Sequence, residues 1–260
     1  MAEGQWQGRS AIVTGGGSGI GLGCARVLAQ GGARLMLVGR TEARLEAALQ
    51  SLPGSGHAFV VGDAADEGTV SRAVALADSL APLAVGIASA GRGSFGPVTD
   101  TTVADFDAVM QTNVNGVFLL FKHAGAAIGA AGGGALCAIS SIAGLRTHRL
   151  MGTYCASKAA VDSLVRNAAD ELGTNGVRVN SVCPGLVATE LSDALMTHDA
   201  VREDYLACMP VARTGTVDDI AQAVGFLCSP QASWITGVSM PVDGGHHLRR
   251  GPDVSLLLQQ

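Results

Sequence analysis

Two patterns of hydrophobic and polar positions alternate along the chain. Short runs of β-branched and other apolar residues predict buried strands, whereas segments with an apolar residue at every third or fourth position predict amphipathic helices. The runs that predict strands cover residues 10–14, 34–39, 57–62, 82–89, 135–140, 177–182 and 238–242. Helical patterns end near residue 30, cover 41–52, 67–80 and 103–130, and begin again at Tyr154. Strands separated by helices imply right-handed crossovers, so the chain is predicted to form an α/β fold with one doubly wound parallel sheet of about seven strands and helices on both faces.

No internal repeat, low-complexity tract or linker interrupts this alternation. A length of 260 residues suits one large α/β domain, and 48% hydrophobic residues suffice for a sizeable core. We therefore expect a single domain over residues 1–260.

Charge and cysteine usage narrow the class of protein. A formal net charge of -5 provides no basic surface for nucleic acid, and no polybasic run indicates binding to a membrane. The six cysteines show neither a C-x-x-C pair nor a metal-like spacing, so we expect reduced thiols and no metal site. No apolar run approaches the length of a membrane span, so we expect a soluble, cytoplasmic protein.

A glycine-rich turn follows the first predicted strand. Gly15, Gly19 and Gly21 are spaced G-x-x-x-G-x-G, with Ser18 and Ile20 among them, and a helical pattern comes directly after. Glycines at such a turn let the backbone approach a pyrophosphate at the N-terminus of a helix. This arrangement predicts a Rossmann-type dinucleotide site.

The end of the second predicted strand bears on the choice of dinucleotide. An acidic residue there would bind the ribose hydroxyls of NAD, but Arg40 occupies the place and no acid lies between Glu3 and Glu42. A guanidinium suits the 2'-phosphate of NADP(H), which is therefore the favoured cofactor. NAD(H) stays possible if Arg40 only stacks on the adenine.

Three side chains predict acid-base chemistry. Tyr154 and Lys158 are four residues apart at the start of a helical pattern, so both emerge on one face. The ammonium is expected to lower the pKa of the phenol from its usual value of about 10 toward neutrality. Ser141 follows a buried strand, at the sheet edge where α/β proteins bind ligands.

Together, the glycine turn, the Ser141, Tyr154 and Lys158 set and the order of strands resemble the classical short-chain dehydrogenases/reductases over essentially the whole chain. The resemblance implies that these three residues and Asn113 are catalytic, with Asn113 supporting a water in a proton relay. It also implies that Tyr154, Lys158 and further residues bind the cofactor, namely Asp63 and Ala64 near the adenine, Ala90 and Gly91 after the fourth strand, and Pro184, Gly185, Val187 and Thr189 near the nicotinamide. One departure is Ala88-Ser-Ala-Gly91, where the family usually has Asn-Asn-Ala-Gly.

The resemblance implies a mechanism. Tyr154 donates a proton to a substrate carbonyl oxygen as hydride arrives from the nicotinamide. Ser141 binds that oxygen, and Lys158 holds the nicotinamide ribose and lowers the pKa of Tyr154.

The substrate region is the least specific part of the sequence. Residues from about 189 to 212 resemble the substrate lid of the family, and the candidate pocket residues are apolar: Leu150, Met151, Leu191, Leu195 and Met196. They favour an apolar ketone or secondary alcohol, such as an alicyclic or steroid-like one. An equally good interpretation is that these residues simply pack the lid against the rest of the domain. His148 and Arg149 are expected in a solvated loop.

Two other functions are considered. A 3-oxoacyl thioester reductase would bind an acidic acyl carrier protein, but residues 129–134 and 174–175 carry no charge where a basic patch is expected. A catalytically silent nucleotide-binding scaffold would have no need of the complete catalytic set.

Assembly is predicted from surplus apolar residues. They occur along 103–130 and in the leucine-rich segment 254–260. Together with the resemblance, they predict a homotetramer or homodimer.

Overall fold

The structure is a computed structural model, which describes residues 4–249. Seven strands, all pairing in parallel, form one sheet in the order β3-β2-β1-β4-β5-β6-β7. The strands are β1 (Ser10–Thr14), β2 (Arg34–Gly39), β3 (Ala58–Val61), β4 (Leu83–Ala88), β5 (Gly134–Ile139), β6 (Val177–Pro184) and β7 (Ser239–Val242). The predicted fold class is confirmed.

Helices cover both faces of the sheet. They are α1 (Gly19–Gln30), α2 (Glu42–Gln50), α3 (Glu67–Leu80), α4 (Val103–Met110), α5 (Gly116–Ala130), α6 (Gly152–Leu172), α7 (Asp193–Thr197), α8 (Asp199–Cys208) and α9 (Val217–Cys228). Alternate strand residues serve two cores: Val13 packs with α1, α2 and α9, and Ile12 packs with α3, α5 and α6. This two-sided burial explains why the strands read as nearly continuous apolar runs.

The helix predicted over 103–130 is interrupted. Between α4 and α5 the chain makes one π-helical turn, Gln111–Asn115. The turn adds a residue to the helical repeat, and Asn113 within it is fully buried. An apolar periodicity read in short windows does not reveal such a one-residue offset.

The segment predicted as a lid forms two short helices. Thr189 caps a 3₁₀ turn, Glu190–Ser192, after which α7 and α8 follow. These helices share a small apolar core with residues before α6, in which Leu195, Tyr205 and Met209 pack against Met151.

After β7 the chain turns back beneath this segment. Gly244 and Gly245 adopt positive φ angles of 64° and 84°, and a 3₁₀ turn, His246–Leu248, follows. The leucines of 254–260 lie outside the described residues. No helix formed by residues 4–249 has the length and apolar character that crossing a membrane requires.

Candidate active site

A cavity of about 540 Å³ opens at the carboxyl ends of the strands. It lies where β1 and β4 are neighbours and the order of strands reverses. Loops after β1 through β6 all contribute to its lining. This is the crevice in which open α/β sheets bind their ligands.

The glycine-rich turn forms one wall of the cavity. Gly15 has a φ angle of 68°, and a Cβ atom there would lie 2.8 Å from the backbone nitrogen of Ala90. A Cβ atom on Gly21 would overlap the carbonyl oxygen of Gly15. The first turn of α1 carries no acidic residue, and the side chain of its N-cap, Ser18, makes no capping hydrogen bond. The wall therefore has the bare backbone and the helix N-terminus that fit a pyrophosphate.

Two arginines line the end of the cavity beyond this turn. Arg40 directly follows β2, and Arg44 lies one turn into α2. The Arg44 guanidinium also pairs with the Glu190 carboxylate at 2.8 Å, which joins α2 to the start of the lid segment. Arg44 was not predicted from the sequence, although it faces the glycine-rich turn: a Cβ atom on Gly17 would lie 3.5 Å from the Cβ atom of Arg44.

The other sequence-predicted cofactor residues also border this cavity. They are Ser18, Gly19, Ile20, Asp63, Ala64, Ala90, Gly91, Pro184, Gly185, Val187 and Thr189. Asp63 uses one carboxylate oxygen to accept a hydrogen bond from the Ala65 backbone at 2.9 Å. At the departure from the family pattern, the Ser89 backbone nitrogen donates to Thr14, which ties β4 to β1 without a side-chain amide.

The predicted catalytic side chains meet where β5 ends. Ser141 and Tyr154 both line the cavity, and the Ser141 hydroxyl is close enough to bind the Tyr154 hydroxyl. The Lys158 ammonium lies 5.6 Å from the centre of the Tyr154 ring and donates a 2.7 Å hydrogen bond to the carbonyl of Ile139. Lys158 is buried, so this carbonyl compensates part of its lost hydration.

The expectation that Lys158 lowers the pKa of Tyr154 is wrong for this structure. Burial raises the pKa of Tyr154 to about 12, opposed only by the Ser141 hydrogen bond. Burial also lowers the pKa of Lys158 to about 8, because desolvation outweighs the nearby carboxylate of Asp162. Desolvation disfavours both charged forms, and residue spacing does not reveal burial. Tyr154 is therefore a neutral phenol that carries its proton at neutral pH.

Asn113 lies behind the cavity wall, next to Lys158. Its side-chain nitrogen donates to the Arg92 carbonyl and the Ser157 hydroxyl, both at 3.0 Å. Its side-chain oxygen accepts from the Arg92 nitrogen at 2.8 Å. A Cβ atom on Gly91 would lie 3.8 Å from this oxygen and 4.0 Å from the Lys158 ammonium. The π-helical turn thus brings the Asn113 amide to the same glycine that the Lys158 ammonium approaches, and Asn113 is not part of the cavity lining.

The predicted substrate residues divide into two groups. Met151, Leu191 and Leu195 line the cavity, whereas Leu150 and Met196 are not part of its lining. Leu150 and Met196 instead pack against the small core beneath the lid segment. Leu150 has a φ angle of 62°, a left-handed conformation that is uncommon for a residue other than glycine.

Two polar residues complete the same end of the cavity. His148 was expected in a solvated loop, but it is 5% exposed and lines the cavity. Tyr205 of α8, which the sequence analysis missed, is 4% exposed and also lines it. Both rings pack edge-on against His246, with centroids 5.8 Å and 5.4 Å away. Because these three residues are far apart in sequence, only the tertiary fold reveals the cluster.

No metal site accompanies these groups. Within 4–249, no three His, Cys, Asp or Glu side chains cluster in a way that could hold an ion.

Known proteins resemble the chain over nearly its full length. A family model described as enoyl-(acyl carrier protein) reductase matches residues 15–247. A galactitol 2-dehydrogenase (L-tagatose-forming) of Cereibacter sphaeroides is 39% identical over 92% of this chain and 95% of its own. The 2-(S)-hydroxypropyl-CoM dehydrogenase 3 of Xanthobacter autotrophicus is 37% identical over 90% and 94%.

Solved structures of other proteins are also similar to the chain over nearly its full length. A short-chain type dehydrogenase/reductase from Mycobacterium ulcerans is 41% identical, with a TM-score of 0.94 and coverage of 98% of this chain and 95% of that one. A proposed NAD(P)-dependent gluconate 5-dehydrogenase from Beutenbergia cavernae, with NADP bound at low occupancy, is 32% identical, with a TM-score of 0.87 and coverage of 92% and 97%.

Proposed function

We propose that this chain, which belongs to the short-chain dehydrogenase/reductase family and is an oxidoreductase of that family, interconverts a secondary alcohol and a ketone. We further propose that it prefers NADP(H) to NAD(H). One observation carries the proposal. The Tyr154 phenol, the Ser141 hydroxyl and the Lys158 ammonium converge at one end of a cavity whose other end is the glycine-rich turn. The named relatives, a galactitol and a hydroxypropyl-CoM dehydrogenase, support a secondary alcohol.

The side chains would act as follows. The buried Tyr154 phenol holds its proton at neutral pH, because its pKa is raised to about 12, and it donates that proton to the carbonyl oxygen of the substrate. Ser141 donates a hydrogen bond to the same oxygen. Lys158 holds the nicotinamide ribose, and Asn113 supports a water that returns the proton to Tyr154. The nicotinamide supplies or accepts the hydride when bound.

The preference for NADP(H) rests on charge. Arg40 and Arg44 line the cavity end beyond the glycine-rich turn, where the adenosine ribose would lie. Two guanidinium groups suit a 2'-phosphate, and the carboxylate of Glu190 neutralises only Arg44. Asp63 and Ala64 would border the adenine, while Pro184, Gly185, Val187 and Thr189 would border the nicotinamide.

The substrate would have an apolar body, alicyclic or steroid-like. Met151, Leu191 and Leu195 support this, since they line the cavity near Tyr154. Residues 189–212 would act as a lid within the single domain. An enzyme with such a substrate would be classed as a carbonyl reductase or a hydroxysteroid dehydrogenase.

Two alternatives are less well supported. The family description names an acyl carrier protein substrate, but residues 129–134 and 174–175 provide no basic surface for an acidic carrier. A silent nucleotide-binding scaffold would leave the Tyr154 and Lys158 pair without a purpose, although burying an ammonium costs folding energy.

We also propose a cytoplasmic homotetramer or homodimer. Val103, Phe106 and Phe118 support self-association, since 76%, 41% and 45% of their surfaces are exposed along α4 and α5.

Oxidation of a panel of cyclic and acyclic secondary alcohols, with NADP⁺ and NAD⁺ in parallel, tests the proposal. The absorbance of the reduced nicotinamide reports turnover. We expect turnover of at least one cyclic alcohol with NADP⁺ preferred, and a fall of about 10² to 10⁴ in rate for Tyr154→Phe, which loses the acid. The variant Arg40→Asp should reverse the cofactor preference. Full activity of Tyr154→Phe would refute the catalytic assignment, and equal use of both cofactors would refute the role of Arg40.

A further inference from the structure

The cavity contains hydrogen-bonding groups that the proposed mechanism does not use. The chain has only two tyrosines, Tyr154 and Tyr205, and both face this one cavity. Tyr154 has a catalytic part in the proposed function. Tyr205, on α8, has none, and neither has His148 of the loop before α6.

Both side chains are buried but have hydrogen-bonding capacity to spare. The Tyr205 hydroxyl makes no hydrogen bond to any described residue. Its oxygen is still accessible to solvent, and because Tyr205 lines the cavity, the hydroxyl opens to that cavity. The His148 Nδ1 atom has one long contact, 3.4 Å from the Arg146 carbonyl. Its Nε2 atom has no partner within 4–249, and it too is not sealed. Buried polar groups of this kind normally have partners, which a ligand can supply.

The rings of His148 and Tyr205 both pack against His246, which is itself held by hydrogen bonds to its segment. His246 is fully buried and lies edge-on to both rings. The Arg146 guanidinium fixes the segment that carries His246, because it donates to the carbonyls of His246 and His247 at 3.1 Å and 2.9 Å. Arg249 ties the same segment to α8 through the Ala207 carbonyl at 2.7 Å. The pair is therefore preorganised, as a binding subsite requires.

The surroundings define what this subsite can accept. The cationic side chains that line the cavity are Arg40 and Arg44 at the ribose end and Lys158 beside Tyr154. Because the proposed function assigns all three to the cofactor, no lining cation is available to pair with a substrate carboxylate near Tyr205. Burial also keeps His148 neutral by lowering its pKa to about 4. A phenol and a neutral imidazole match an uncharged hydroxyl, to which one can donate and from which the other can accept.

We propose that Tyr205 and His148 bind a second, uncharged hydroxyl of the substrate, so that the enzyme oxidises a diol to a hydroxyketone in preference to a simple secondary alcohol. The inference rests on the proposed function and names its substrate class. One CH–OH of the diol loses its hydride to the nicotinamide and its hydroxyl proton to the Tyr154 oxygen, while the proton that Tyr154 already carries passes to the water supported by Asn113. The other hydroxyl is unchanged and stays on Tyr205 and His148.

A pair of substrates that differ by one hydroxyl tests the inference. Cyclohexane-1,2-diol and cyclohexanol are oxidised with NADP⁺ by the wild type, Tyr205→Phe, His148→Leu and the control Thr197→Val. The control removes a hydroxyl of the lid segment that does not line the cavity. The readout is the ratio of kcat/KM values for the two alcohols.

We expect the wild type and Thr197→Val to prefer the diol by about 10-fold, the size of effect that the net contribution of one hydrogen bond gives. Tyr205→Phe and His148→Leu should each lose most of this preference, mainly through a higher KM for the diol. The diol should also raise the Tm of the wild-type enzyme with NADP⁺, and raise that of Tyr205→Phe less.

Each failure has its own signature. Equal kcat/KM for both alcohols in the wild type, or an unchanged ratio in both cavity variants, would overturn the subsite while leaving the proposed function standing. Faster oxidation of gluconate than of a neutral hexitol would overturn the assignment of an uncharged hydroxyl. Absence of turnover on both cyclic alcohols, with no effect of the diol on Tm, would overturn both proposals.

Discussion

Burial controls the chemistry of individual side chains in this protein. Tyr154 and Lys158 are both enclosed, so the phenol is held neutral and the pKa of the ammonium falls to about 8. The Ile139 carbonyl is the hydrogen-bond partner that keeps Lys158 in place. Lys158 therefore makes the stability of the fold depend on pH.

Replacing Lys158 by Met should remove this dependence. Between pH 8 and 10 the unfolded chain binds more protons at Lys158 than the folded protein does, because the ordinary pKa is 10.5. The wild-type free energy of unfolding should therefore rise by about 2 kcal/mol across this range from Lys158 alone. The variant should lack this rise, which urea unfolding of both proteins at the two pH values would measure.

Other titrating groups are common to both proteins and cancel in the comparison. The loss of the hydrogen bond to Ile139 also affects both pH values alike. The same pH dependence in variant and wild type would mean that Lys158 titrates normally in the folded protein.

At this scale the sequence predicted that Tyr154 and Lys158 share one helix face but did not predict how deeply they are buried. The spacing of Tyr154 and Lys158 put both on one face of a helix, and the structure has them on one face of α6. The direction of the Tyr154 pKa was missed because desolvation depends on the elements packed around it. Tyr205 was missed for the same reason, since only the packing of α8 against His246 brings it to the cavity.

At the scale of elements, the turn between β1 and α1 depends on glycine at specific positions. Gly15 needs both a positive φ angle and the absence of a Cβ atom, because the Ala90 backbone is 2.8 Å from where that atom would be. Gly17 needs neither, since its Cβ atom would meet side chains at 3.5 Å, an ordinary contact.

Gly15→Ala and Gly17→Ala should consequently differ in stability. The first should cost about 2 kcal/mol or more, from a left-handed conformation and a backbone overlap that cannot relax cheaply. The second should change the free energy of unfolding by less than about 0.5 kcal/mol. Urea midpoints for the two variants measure the contrast, and similar losses in both would mean that the turn relaxes around a side chain.

Element boundaries were predicted well where hydrophobic runs are short and bounded by glycine. β1 and β2 agree residue for residue with the prediction, and the other strands differ from it by one or two residues at an end. The break between α4 and α5 was not predicted. Asn113 within the break donates hydrogen bonds to Arg92 and Ser157, and such distant partners leave no periodic signal nearby.

At the scale of the molecule, the two faces of the sheet are covered but α4 and α5 still expose apolar side chains. Phe118 is 45% exposed on a helix whose other face is already packed. Exposed aromatic residues of this kind are typical of subunit interfaces.

Phe118→Glu should therefore weaken self-association. The wild type should scatter light as a dimer or tetramer at micromolar concentration, and the variant as a smaller species, because a carboxylate is costly to bury in an interface. Leu76→Glu, which replaces a 43% exposed residue on α3, is the matched control and should leave the mass unchanged. A monomeric wild type would refute the proposed assembly.

The cavity is the part of the whole that sequence patterns describe least. Its lining extends from Gly15 to Tyr205, and closing such long loops depends on the packing of the complete sheet. Motifs located the end with the glycine-rich turn, where the close backbone approach requires glycine. The opposite end is built from side chains whose positions depend on one another.

The edge-on packing of His148 and Tyr205 on His246 depends on a residue that is made late in synthesis. A ribosome delivers residues in chain order, so the glycine-rich turn and Tyr154 are synthesised well before His246 and Arg249. His148 and Tyr205 have no His246 ring to pack on until residues 246–249 leave the ribosome, so a chain shortened before His246 would contain the glycine-rich turn, Tyr154 and α8 but would lack the contact that both rings share.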